Sequence, residues 1–98
     1  MGDAHIILQR IREKFAAGAP EQLEQLRRDL AHGEFLRMAE TAHYLASSAY
    51  AVQSSDLAAL AKRVELAAQR GDRAETASAL DAFSLKMEEV LASFPGRA

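Results

Sequence analysis

The stretch FAAGAPEQLEQLRRDL, Phe15–Leu30, decides the fold, because it reads either as one helix or as two. Gly18 and Pro20 argue for a break. Glycine gives up the most backbone freedom in a helix, and proline lacks an N–H and disfavours helical backbone at the residue before it. The phase of the apolar residues argues the other way. Leu8, Ile11 and Phe15 form one stripe, and Leu23, Leu26 and Leu30 form another. Leu8 and Leu26 stand 18 residues apart, about five whole turns at roughly 3.6 residues each. Both stripes therefore share one face if the helix runs through. This reading predicts a single long first helix, bent near Pro20.

Outward from this stretch the helical signal continues. Pro20 and Pro95 are the only prolines, strand-like alternation is absent, and Ala, Leu, Glu, Gln and Arg dominate. Breaks fall at His32-Gly33-Glu34, Gln53-Ser54-Ser55-Asp56 and Arg70-Gly71-Asp72. Between Glu34 and Val52 the apolar residues Met38, Ala42, Leu45, Ala49 and Val52 step by 4, 3, 4 and 3. Leu57, Leu60, Val64 and Ala67 step by 3, 4 and 3, and Leu80, Phe83, Met87, Val90 and Phe94 by 3, 4, 3 and 4. Each is one stripe of an amphipathic helix. Ser54 or Ser55 reads as the N-cap of the third helix. Asp72 with Glu75 reads as a capping box opening the fourth, which Pro95-Gly96 closes. Gly71 suits a left-handed cap. Short connections force antiparallel neighbours, so the expectation is an all-α, up-down-up-down four-helix bundle.

Composition narrows the function. Hydrophobic residues make up 49% of the 98 residues, enough for one modest core with close, alanine-rich packing. A single domain over residues 1–98 is expected, and a chain from Met1 to shortly after Pro95-Gly96 reads as a complete small protein. The net charge of -2 lacks the basic excess of a nucleic-acid binder, and cysteine is absent, which excludes disulfides and thiolate metal sites. No run approaches the ~20 apolar residues of a membrane helix. At the N-terminus the basic residues follow the apolar cluster, unlike a signal peptide. The expectation is a soluble, cytoplasmic protein with no membrane partner. The mixed charge clusters Glu24-Arg27-Arg28-Asp29 and Lys62-Arg63-Glu65 read as solvated faces.

Three histidines are the distinctive polar groups. His5 falls in the first turn of the first helix and His32 in its last, where a partly positive ring suits the helix terminus. No two have the i, i+4 spacing of a zinc helix, so no metal site is expected. His43 lies mid-helix beside the core position Ala42, on the flank of the buried stripe. Leu36, Ala39, Glu40, Ala46, Ser47 and Tyr50 share its face at spacings of three, four and seven. The following turn carries small side chains, which leaves room for a second protein to reach the imidazole.

The stretch Ala42-His43-Tyr44-Leu45-Ala46-Ser47-Ser48-Ala49-Tyr50-Ala51-Val52, followed by Leu57-Ala58-Ala59-Leu60-Ala61, resembles the signature of histidine-containing phosphotransfer (HPt) domains. Phe15–Leu26 resembles the family's first bundle helix, which also carries a proline, and the turns at Gly33 and Gly71 resemble its connections. The separate short N-terminal helix of many members is expected to be missing or reduced here. The resemblance implies a phosphoryl carrier of a two-component phosphorelay. His43 would accept the group, and Leu36, Ala39, Glu40, Ala46, Ser47 and Tyr50 would meet the partner. That partner would be a response-regulator receiver domain, a hybrid histidine kinase, or both. The chain would act as a monomer without independent catalysis and without a cofactor of its own, magnesium being supplied by the receiver. Three positions depart from the family pattern. Ala46 stands where the family has lysine and Ser47 where it has glycine, while Gln53 replaces a second glycine. Lys62 and Arg63 lie on the next helix, and the sequence does not show that either reaches the site. The lost lysine keeps an alternative open, a module that binds a receiver or kinase without carrying phosphate. A structural bundle that binds a partner elsewhere is the third reading.

Overall fold

The computed structural model describes residues 2–95, so the expected role of Gly96 in closing the last helix lies outside the described residues. Four helices follow one another: α1 over Gly2–His32, α2 over Phe35–Ala51, α3 over Ser55–Gln69 and α4 over Arg73–Ser93. The described residues contain no strand. Each helix packs on its neighbours in a ring, α1 on α2, α2 on α3, α3 on α4 and α4 back on α1. Among the described residues the backbones of the diagonal pairs stay farther apart. This is the expected antiparallel four-helix bundle.

The first helix runs without interruption through Gly18 and Pro20. Its second half is anchored by Ala19, Leu23 and Leu26, all buried, which holds the two stripes in phase across the proline. The core fills from every helix: Leu26 of α1, Met38 and Leu45 of α2, Leu57 and Val64 of α3, and Phe83 and Met87 of α4 are fully buried. Alanines fill the space between them, with Ala42 and Ala49 of α2 and Ala58 and Ala61 of α3 at most 1% exposed. Leu8, Ile11, Leu30, Leu60 and Val90 are only half-buried at the edges of this core. At 31 residues α1 is far longer than its partners. Its N-terminal part carries the exposed Ile6 and Ile7, and the molecule measures 45 × 23 × 18 Å.

The three turns share one construction. A single left-handed residue, Gly33 (φ 69°), Gln53 (φ 64°) or Gly71 (φ 65°), ends the preceding helix. Its N–H donates to the carbonyl three residues back: Leu30, Tyr50 and Ala68 respectively. The next residue's N–H donates five residues back, to Asp29, Ala49 and Ala67. This is the Schellman arrangement, and it satisfies carbonyls that a helix end otherwise leaves unpaired. That next residue then opens the following helix. Ser54 accepts from Leu57 N–H and Asp72 from Glu75 N–H, at 3.4 and 3.0 Å, as expected. The capping box at α4 is only half formed. Asp72 N–H is already used in the turn, and the Glu75 carboxylate accepts from Arg63 Nε at 3.1 Å.

Two charged residues expected on solvated faces are buried instead: Asp29 is 2% exposed and Glu65 6%. Asp29 accepts from Gln25 Nε2 at 2.8 Å and faces Arg37 at 3.8 Å. The ends of the bundle are tied by cations over aromatic rings. Arg73 donates to the Leu30 carbonyl and lies over Phe35, and Arg12 lies over Phe94, whose ring meets Phe15 edge-on.

Leu57→Ala is expected to destabilise the bundle by about 2–5 kcal/mol, read from urea unfolding, because a fully buried side chain leaves a cavity among four helices. Gln53→Gly is expected to do the opposite. A side chain in the left-handed region costs roughly 1 kcal/mol that glycine avoids. The thermal midpoint then rises by about 4–8 °C for a chain of this size. An unchanged or lower midpoint would show that the Gln53 side chain compensates for its backbone.

Candidate functional site

The α2 face that carries His43 is the exposed flank between α2 and α3. Leu36, His43 and Tyr50 repeat at intervals of seven along it. Leu36 is 77% and Tyr50 65% exposed. Glu40 and Ser47 complete the exposed surface. Two residues expected there turn inward: Ala39 is 5% exposed and belongs to the core, and Ala46 is 8% exposed. The reason is their position on the α3 side of the stripe, where the helices close together. Ala46 still lines the floor of a shallow recess of about 290 Å³, formed with His43, Ser47 and Tyr50 of α2 and Ala58, Lys62 and Glu65 of α3.

His43 is exposed over 67% of its side chain, yet its ring is held from one side. Nδ1 lies 3.2 Å from Oε2 of Glu65, whose side chain is 8% exposed. A carboxylate can only accept, so Nδ1 carries the proton and donates. The neutral ring is then left with an unprotonated Nε2, the nitrogen available as a nucleophile. Several groups gather around Glu65. Lys62 Nζ lies 3.1 Å from Oε1 as an ion pair, and Gln69 Nε2 donates to Oε2 at 3.5 Å. Burial makes these partners necessary, since an isolated carboxylate is strongly disfavoured away from water. Ser47 Oγ donates to the His43 carbonyl at 3.4 Å, so its hydroxyl points along its own helix.

The structure decides between the two cations on α3. Lys62 lines the recess. Arg63, one residue on, turns to α4, donating to Glu75 and to Ser78 Oγ. Glu65 is the residue that sequence reasoning missed, absorbed into a charge cluster. Its signal was a stripe of small and polar residues on α3, Ala58, Lys62, Glu65 and Gln69, stepping 4, 3 and 4 beside the apolar one. His5 and His32 lie exposed on α1, and neither has a carboxylate partner of this kind.

His43 is thus an exposed imidazole on a helix flank, held through Nδ1 beside a buried carboxylate. The family model described as "Hpt domain" matches residues 10–93, and the chain belongs to that family. Its members serve histidine phosphotransfer in two-component signalling as phosphoryl carriers. Neither the curated proteins nor the solved structures give a match. No helix among the described residues is long and apolar enough to cross a membrane.

Replacing Glu65 is expected to change the ring before it changes the fold. In the wild type, nitrogen-15 NMR at alkaline pH should find the proton of the neutral His43 ring on Nδ1. In Glu65→Ala the population should move toward the Nε2–H form that free histidine favours. Identical spectra for both proteins would show that Glu65 does not set the tautomer.

Proposed function

We propose that this chain is a phosphorelay carrier that takes a phosphoryl group on Nε2 of His43, from or to an aspartate of a receiver domain. The observation that carries this reading is the 3.2 Å contact between Nδ1 and the buried Glu65 on an otherwise exposed ring. Three demands of the chemistry are met at once: a free lone pair on Nε2, access for a protein-bound phosphoryl group, and a fixed ring plane. In the forward step, the Nε2 lone pair attacks phosphorus. The bond from phosphorus to the receiver's aspartyl oxygen breaks, and the aspartate leaves as a carboxylate. The Nδ1 proton stays on the ring, where Glu65 offsets the positive charge of the phosphorylated imidazole. The receiver would contribute magnesium, which stabilises the charge on the transferring group.

Leu36 and Tyr50, one on each side of His43, supply the apolar contacts of the docking face. Glu40 and Ser47 lie between them. A second reading stays in view because α2 itself offers no cation beside His43. Ala46 stands at the position where the family has lysine. On that reading the same face binds a receiver or kinase without accepting phosphate.

His43→Gln tests the two. Incubated with magnesium and a panel of phosphorylated receiver domains, the wild type should gain acid-labile phosphate and the variant none. The variant's thermal unfolding should stay within about 0.5 kcal/mol of the wild type, as for other exposed positions. Binding to a receiver without any transfer would establish the docking module instead.

A further inference from the structure

We infer that Lys62 of α3 is the phosphoryl-binding cation of this site, replacing from the opposite wall of the recess the cation that α2 lacks; the inference rests on His43 being the phosphoryl carrier. Among the residues that line the recess, the α2 wall contributes Ala46, Ser47 and Tyr50 beside His43, and none of these three is charged. The α3 wall contributes Ala58, Lys62 and Glu65. Lys62 is thus the fixed positive charge next to the imidazole. Arg63 is held away by Glu75 and Ser78.

The resting contacts show why a cation is needed there. Glu65 bridges the two groups, with Oε1 3.1 Å from Lys62 Nζ and Oε2 3.2 Å from His43 Nδ1. Lys62, Glu65 and a neutral ring sum to zero charge. A phosphoryl group on Nε2 adds about -1.5 to -2. Without Lys62 that group would face a buried carboxylate across a single imidazole. Lys62 offsets both. Its contact with Glu65 is an ion pair and not an aligned hydrogen bond, and Oε1 has no hydrogen-bond donor. Its side chain is 54% exposed, so the ammonium can turn toward phosphoryl oxygens while its stem stays on α3. Transfer itself is unchanged in its balance. The bond from Nε2 to phosphorus forms, the bond from phosphorus to the aspartyl oxygen breaks, and Lys62 gains a charge-assisted hydrogen bond to the moving group.

Ala46 lines the same recess, so a lysine introduced there would reach the site from the other wall. The test compares the wild type, Lys62→Gln, Lys62→Arg and the double variant Lys62→Gln with Ala46→Lys. Each is phosphorylated by phosphorylated receiver domains and, separately, by the small donor phosphoramidate. His43→Gln is the blank, and circular dichroism confirms folding. Lys62→Gln is expected to accept phosphate about ten- to hundred-fold more slowly, the worth of one charged hydrogen bond. Its phosphohistidine should titrate at a higher pH by phosphorus-31 NMR, because a nearby cation favours the dianion. Lys62→Arg should retain most of the rate, and the double variant should recover it. Equal rates and equal phosphoryl titration in the wild type and Lys62→Gln would overturn the role of Lys62 and leave His43 as carrier. No phosphate on the wild type from either donor would overturn the carrier reading, and this inference with it.

Discussion

The close approach of α2 and α3 is the constraint on which the rest of the structure depends. It is set by alanines: Ala39, Ala42, Ala46 and Ala49 on one helix and Ala58, Ala61 and Ala68 on the other are all buried. Helix axes come together only as far as the side chains between them permit, and small residues permit the most. This pair makes the most extensive contact of any two helices in the bundle. The short side chain of His43 can therefore meet Glu65 directly across the seam. The same closeness shields the Glu65 carboxylate from water, which compels it to gather Lys62, Gln69 and the imidazole. An orientation of the ring thus follows from the packing of two helices.

The bundle also sorts its cations by what they can reach. Arg63 and Arg73 are consumed in joining helices, the first to α4 and the second to the carbonyl end of α1. Arg27 reaches Ser84 Oγ across the α1–α4 seam at 2.9 Å. Among the described residues, Lys62 pairs only with its neighbour Glu65, three residues along the same helix. Arginine, with its planar fork of donors, suits the fixed ties, while a lysine on a flexible stem suits a contact that must be broken and remade.

Much of this was legible in the sequence. The phase of Leu8 to Leu26 outweighed Gly18 and Pro20, because buried apolar area on one face is worth more than one missing backbone hydrogen bond. The caps at Ser54 and Asp72 and the left-handed Gly71 were readable because each depends on neighbours in the chain. His43 was readable as an exposed flank residue for the same reason. Periodicity could not supply the register of α2 against α3, and so could not pair His43 with Glu65, which stand 22 residues apart. It also placed Ala39 on an open face, since the boundary between flank and seam depends on how far the next helix leans over it. Asp29 and Glu65 were misplaced by the general rule that charge seeks water, which yields where a partner is at hand.

The ring of contacts has a consequence for how the molecule breathes. His43 and Glu65 belong to consecutive helices joined by the turn at Gln53, and the backbone of α1 packs closely on α2 and α4 but not on α3. A partial opening that lifts α1 away, the kind that hydrogen exchange detects as a sub-global unit, breaks none of the contacts that orient the imidazole. Such an opening would leave the contact between His43 and Glu65 in place, since both belong to the α2–α3 pair. The packing of α1 and the orientation of the His43 ring therefore rest on different helix contacts.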